Sequence, residues 1–186
     1  MTHAPSIYEL DIERVIQYAR KSDGDLWRAA IALVRVQKYG NLLDVKQYIA
    51  EETGKDISAV ENWLHAGELF MELLGEGYPV WCLRRGLTIS HFWAAWELRQ
   101  KWGMTNKRVV KYLEDFVAYR KQGMKQGTSS QALRRDVDAE HDKGGSSPTW
   151  SYFAPKLRVW CEKLLVTEQV PFTIQIHVQA ILKELS

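Results

Sequence analysis

Apolar side chains recur at helical spacing along nearly the whole of this chain, and glycine- or proline-containing breaks divide the pattern into short segments. The segment from Ile7 to Lys21 shows the spacing well, and Gly75 to Pro79 is the clearest break. Segments of this length bury their apolar stripe only by packing on one another. We therefore predict an all-α fold, a bundle of many helices.

The predicted helices follow from the apolar spacing and from residues that favour helix ends. Thr88 or Ser90, and Ser129 or Ser130, are suited to the N-cap position of two of them. Helices are expected over residues 7–21, 25–39, 43–52, 58–74, 88–101, 105–121 and 129–137, with a short helix or connector at 80–85.

The C-terminal extension has a less uniform pattern. Leu157, Trp160 and Leu164 have helical spacing, whereas residues 173–178 alternate as a strand does before helical spacing returns. The structure of this extension is therefore left open.

Changes in composition divide the chain into parts. We predict an N-terminal helical pair over residues 1–42, a core over 43–142, a Gly/Ser/Pro-rich linker over 143–148 and the extension over 149–186. By its position, the extension could provide an oligomer or partner contact.

Composition indicates a globular protein. Among 186 residues, 46% are apolar and 26% are charged, which are ordinary shares. No apolar run approaches the ~20 residues of a membrane span, and the N-terminus does not resemble a secretory signal. Two isolated cysteines argue against a disulfide framework, and Cys82 is expected to be a small core residue. These features predict a cytoplasmic protein with no membrane contact.

No pattern typical of an active site or a metal site is present. The run from Asp136 to Asp142 resembles the start of a calcium loop, but His141 stands where the sharp-turn glycine belongs. The chain lacks phosphate-binding glycine motifs and zinc-ligand spacing. His91 is expected to serve as a helix-cap or core residue. We therefore expect a non-enzymatic protein with no metal and no cofactor.

Charge is distributed unevenly along the chain. Between Arg84 and Arg135, twelve basic side chains face three acidic ones, so this stretch carries +9 and the rest of the chain −7. A segregated positive field is typical of proteins that bind polyanions. Its members at the two ends, Arg84, Arg85, Arg134 and Arg135, are candidate phosphate contacts.

The spacing of Ala50, Gly54, Val60 and Trp63 predicts a helix–turn–helix. A small residue lets the helices approach, and glycine permits the left-handed backbone of the turn. The second helix would present its outward side chains to the major groove of DNA. These candidate contacts are Lys55, Ser58, Ala59 and Asn62.

A second segment, around Gly103, Val109 and Tyr112, competes for the same role. Arg99 stands where a small residue is wanted, but the outward residues suit DNA better. They are Thr105, Asn106, Lys107, Arg108 and Lys111. Which of the two segments would read bases is left open.

The order of segments over residues 43–137 resembles the central helix–turn–helix domain of ParB/KorB-type partition proteins. Leu87, Thr88 and His91 match a motif of that family, although Phe92 stands where alanine is usual. The resemblance implies a domain that reads double-stranded DNA, commonly as a dimer on palindromic sites. Residues 1–42 are too short for the family's upstream nucleotide-binding domain.

These observations predict a sequence-specific DNA-binding protein, acting in transcription regulation or in plasmid or phage maintenance. The alternative is a non-enzymatic interaction module whose basic face binds an acidic protein surface.

Overall fold

The computed structural model describes residues 6–21, 26–38, 42–121, 129–144, 148–166 and 170–185. In these residues the chain forms ten α-helices and no strand, which confirms the predicted all-α class. None of the ten described helices is long and apolar enough to cross a membrane. They are α1 (Ile7–Lys21), α2 (Leu26–Val36), α3 (Leu42–Thr53), α4 (Ile57–Gly75), α5 (Val80–Leu83), α6 (Ile89–Trp102), α7 (Asn106–Lys121), α8 (Ser130–Lys143), α9 (Trp150–Leu165) and α10 (Phe172–Glu184).

Helix α4 lies at the centre of the bundle, where it packs against α2 on one side and α6 on the other. Gly67 allows the close approach to α2, since a Cβ atom at this position would lie 2.7 Å from the carbonyl oxygen of Ala30. Val60, Leu69 and Leu73 of α4 are fully buried. The face of α4 that carries these residues is therefore closed to any ligand.

One continuous core includes side chains from α1 through α8. At its middle, the ring of Trp27 lies 5.1 Å from that of Phe70 and 4.8 Å from that of Phe92. Aromatic pairs at such distances and tilts contribute beyond the area that they bury. The N-terminal helices α1 and α2 thus share their core with the helices that follow.

Helix α5 is a single turn, and this explains why the expectation that Cys82 is a core residue was wrong. Val80 is fully buried, but Cys82 is exposed, although we expected a small core residue there. One turn of helix directs only part of its circumference to the core, and α5 uses Val80 for that contact.

Helices α9 and α10 form a hairpin that joins the rest of the chain through α6. Residues 173–178, whose alternating pattern fitted both a strand and a helix, lie within helix α10.

Thr149 attaches the start of α9 to the end of α6. Its backbone N–H donates to Lys101 O at 2.7 Å, and its hydroxyl donates to Gln100 O at 2.6 Å. Of the predicted linker, residues 145–147 lie outside the described part of the chain.

Candidate nucleic-acid interface

The first predicted turn lies between α3 and α4. Gly54 has φ +64°, a conformation that glycine adopts at little cost, and Lys55 N–H donates to Ala50 O at 3.0 Å. Ala50, Val60 and Trp63 are buried between the helices. The helix, the turn and the second helix therefore follow one another as the residue spacing predicts.

The surroundings of α4 leave little of its outward face open. Lys55 and Ser58 are exposed, whereas Ala59 and Asn62 are half-buried. Asn62 lines a cavity of about 410 Å³ together with Trp93 and with Tyr152 of α9. Only the first turn of α4 could therefore reach a large ligand.

The second predicted turn lies between α6 and α7 and has nearly the same backbone. Gly103 has φ +60°, and Met104 N–H donates to Arg99 O at 3.1 Å. Arg99 occupies the place of the expected small residue by extending along the helices. Its Nη1 lies 2.8 Å from Asn106 Oδ1 and 2.8 Å from Glu72 Oε1.

Asn106, a predicted base contact, holds α7 against the end of α4. Its Nδ2 donates to Glu72 Oε1 and to Glu76 Oε1, both at 2.8 Å. The bond from Asn106 is the largest cause that lowers the pKa of Glu72, and the bond from Arg99 adds to it. The amide of Asn106 is thus fully engaged within the protein.

The outer face of α7 carries Lys107, Arg108 and Lys111, and all three are exposed. Together with Tyr78 and Pro79 at the start of α5, they line a cavity of about 690 Å³. The opposite face of α7 is buried in the core through Val109, Val110, Leu113 and Phe116. Helix α7 therefore lies at the edge of the bundle with one face open to solvent.

Arg108 has partners within this cavity. Its guanidinium donates to Tyr112 Oη at 3.1 Å and to Glu140 Oε1 at 3.2 Å. The bond to Tyr112 is the largest cause that raises the pKa of Arg108. Because the pair with Glu140 is about half exposed on both sides, its contribution to stability is small, and the arginine can exchange partners.

Two of the predicted phosphate contacts are engaged elsewhere. Arg134 donates to Glu97 Oε2 at 3.0 Å, and its guanidinium lies 4.2 Å from the ring centroid of Trp93. Arg135 lies 3.4 Å from Asp136. Both belong to α8, and neither lines the cavity beside α7.

The remaining predicted cations have no carboxylate partner among the described residues. Arg84 and Arg85 are exposed in the turn that follows α5, and the Arg85 guanidinium lies 5.9 Å from the Trp81 ring centroid. α5 packs against α7, and a Cβ atom on Gly86 would lie 3.4 Å from Val117 of α7. The structure thus places Arg84 and Arg85 on an element that borders α7.

Sequence reasoning did not identify Tyr78, Pro79, Tyr112 and Glu140 as parts of this cavity. The sequence could have indicated Tyr112, because it follows Arg108 by four residues on one helix and side chains at this spacing are neighbours. The other three come from distant elements, and no local spacing indicates their position.

His91 has one of the two roles expected of it, that of a helix-cap residue. Thr88, the N-cap residue of α6, donates its N–H to His91 Nδ1 at 3.1 Å, so His91 serves as a buried cap. The run from Asp136 to Asp142 is helical within α8. No cluster suited to a metal ion occurs among the described residues.

Comparisons with protein-family models, with curated proteins and with solved structures found no match. We therefore infer function from the sequence and the geometry of this chain.

Proposed function

We propose that this protein binds double-stranded DNA through a surface on α5 and α7, without being an enzyme. We call it the α5–α7 surface, and it consists of Arg84, Arg85, Lys107, Arg108 and Lys111. The observation that carries the proposal is the pairing of the cations. Arg99, Lys101, Arg134 and Arg135 are bonded to carboxylates, whereas Arg84, Arg85, Lys107 and Lys111 have no such partner among the described residues.

Unpaired cations bind phosphates most readily. A cation that already has a carboxylate partner must give up that pair before it contacts DNA, whereas a hydrated one only displaces counterions from the phosphates. Four unpaired cations, two on α7 and two on the turn that follows α5, could contact several phosphates at once, and such contacts set the position of a protein on the duplex.

The charge along α7 indicates which end would enter the groove. Its exposed face begins with Lys107, Arg108 and Lys111 and continues with Glu114 and Asp115. The N-terminal end of a helix also carries the positive end of its dipole. The first two turns would therefore approach the DNA, as the N-terminal residues of recognition helices do, although Glu114 and Asp115 of the next turn line the same cavity.

Within this proposal, Thr105, Lys107, Arg108 and Lys111 provide the groove and phosphate contacts, and Asn106 positions α7 on α4. The resemblance in segment order adds the expectation of sequence-specific reading, in transcription regulation or plasmid maintenance. An acidic protein surface could bind the same cations, so binding to an acidic protein is the competing function.

The test is a fluorescence-anisotropy titration with random duplex DNA at several salt concentrations, from about 50 to 200 mM. For Lys111→Gln on α7, we expect the slope of log affinity against log salt to fall by about one unit. Lys55→Gln, at the turn before α4, is the matched control and should keep the wild-type slope.

Two results would contradict the proposal. Absence of binding at the lowest salt would favour the acidic protein partner. Equal effects of the two substitutions would show that α7 has no special part in binding.

A further inference from the structure

The cavity that Asn62 lines lies between α4, α6 and α9, and it shares no residue with the α5–α7 surface. Its volume of about 410 Å³ is within the range of sites that hold small molecules. Residues of all three helices form its wall, and on the α9 side Pro155 and Lys156 are exposed. We call it the α4–α6–α9 cavity.

Aromatic rings form much of the wall of this cavity. Trp93 and Trp96 belong to α6, Tyr152 to α9 and His65 to α4. The rings of His65 and Trp96 are stacked, with centroids 3.9 Å apart and planes within 9° of each other. Both tryptophans are half-buried, so part of each ring remains accessible. A wall of this composition favours a planar ligand that packs against the rings.

Two side-chain amides on the wall are available to such a ligand. Asn62 of α4 and Gln100 of α6 are half-buried, and neither amide has a hydrogen-bond partner among the described residues. A primary amide presents N–H donors next to an acceptor oxygen, so it pairs with a planar edge that carries an acceptor next to a donor. Adenine has such an edge at N7 and its N6 amino group, which asparagine and glutamine bind through two hydrogen bonds.

The carboxylates of the wall already have cationic partners. Glu61 pairs with Lys46, and Glu97 lies 3.0 Å from Arg134 and 3.4 Å from Lys156. A charged ligand would have to compete with these pairs, or lose part of its hydration without gaining a new partner. Among the described wall residues, the groups left open are the rings and the neutral amides. The cavity therefore favours an uncharged ligand.

We propose that the α4–α6–α9 cavity binds an uncharged adenine compound, either the free base or a nucleoside. The adenine ring packs against Trp93 and Trp96. Its polar edges bond to the amides of Asn62 and Gln100. Tyr152 closes the α9 side, so the bound ring joins α9 to α4 and α6. A ligand that binds only this packed arrangement also stabilises it, and the hairpin of α9 and α10 becomes more firmly attached.

The test is isothermal titration calorimetry of the full chain with adenosine, without DNA. For a ligand of this size we expect a Kd on the order of 100 μM. The double variant Asn62→Ala/Gln100→Ala removes both amides, and it should weaken binding at least about tenfold. Circular dichroism should show the wild-type helix content for this variant, because both side chains are only half-buried.

Gln17→Ala/Gln131→Ala is the matched control, since it removes two exposed amides, of α1 and α8, that lie outside the cavity. This variant should bind adenosine like the wild type. Benzamidine, a planar cation, should bind more weakly than adenosine, because the carboxylates of the wall are already paired. Bound adenosine should also slow proteolysis of the hairpin.

Absence of adenosine binding, tighter binding of benzamidine, or equal affinity of the two double variants would overturn the proposal. An unchanged rate of proteolysis with adenosine bound would place the ligand away from α9 and contradict it as well. None of these results depends on whether the chain binds DNA, because the cavity and the α5–α7 surface have no residue in common.

Discussion

The turn between α3 and α4 and the turn between α6 and α7 have nearly the same backbone and very different surroundings. Gly54 and Gly103 have φ angles of +64° and +60°, and in each case two residues separate the glycine from the next helix. Yet α4 lies between α2 and α6, whereas α7 lies at the edge of the bundle with its cationic face exposed. The local spacing of glycine and apolar residues thus determines the turn, but not what covers the helix after it.

The largest effect that we expect concerns the buried position of α4. Gly67→Ala should lower the free energy of unfolding by about 2 kcal/mol, because overpacking at this contact outweighs the better helix propensity of alanine. The new Cβ would lie 2.7 Å from the backbone oxygen of Ala30 and 2.9 Å from a methyl group of Val34. Urea unfolding followed by circular dichroism measures the change.

Gly75→Ala is the control on the same helix. A Cβ atom at Gly75 meets nothing within 4 Å, so this substitution should be neutral or slightly stabilising. If the two variants were equally stable, α4 would not lie against α2 as described, and the contrast between α4 and α7 would fail.

A smaller effect distinguishes the two turns. Gly54→Ala and Gly103→Ala each force alanine into a left-handed conformation, at a cost of about 1 kcal/mol. At Gly103 the new Cβ would also lie 3.2 Å from Thr149 Cγ2, whereas at Gly54 it meets nothing within 4 Å. We therefore expect Gly103→Ala to be the more destabilising by about 0.5 kcal/mol.

Thermal and urea unfolding of both variants would test this difference. Because Thr149 attaches α9 to α6, Gly103→Ala should also increase proteolysis of the hairpin, whereas Gly54→Ala should not. An equal loss of stability in the two variants would mean that the start of α9 does not rest on the second turn.

Local rules were sufficient for much of the fold. Periodicity and cap residues located α1 to α4, α6 and α7 to within a few residues, and the spacing around Gly54 and Gly103 located both turns. Helix α8 runs to Lys143, beyond its predicted end at residue 137, and the helices of residues 149–186 had been left open. Local rules failed where a long-range contact decides the environment. Asn106 bonds to Glu72 and Glu76, which are at least thirty positions away in sequence, and Arg134 to Glu97, which is 37 away. These pairings depend on how the helices cross, so the spacing of residues could not show which cations remain open.

The pH dependence of stability should also differ between the regions around the two turns. Near α4, a bond from His65 is the largest cause that lowers the pKa of Glu68. Near α7, burial lowers the pKa of His141, and the charge of Arg108 adds to this effect. His141 stacks on Trp102 of α6, with ring centroids 4.5 Å apart.

These two shifts act in separate pH ranges. The fold favours neutral His141, whereas the unfolded chain takes up a proton near the ordinary pKa of 6.5. The unfolded state therefore binds more protons just below that pH, and stability is lost as the pH falls below 6.5. The contribution of Glu68 is present above its ordinary pKa of 4.5 and is lost only at lower pH.

Between pH 7.5 and 5.5, the wild-type chain should therefore lose stability mainly through His141, in the region around α7. This effect is the smallest of the series, because it involves a single group and because Glu140, Asp138 and Asp142 favour its protonated form and so oppose part of the lowering of its pKa. Urea unfolding at both pH values should show a smaller difference for His141→Gln than for the wild type. His177→Gln, which changes an exposed histidine of α10, should keep the wild-type difference. If both variants behaved alike, the loss of stability at low pH would not come from His141. The regions around the two turns would then not differ in the pH dependence of stability.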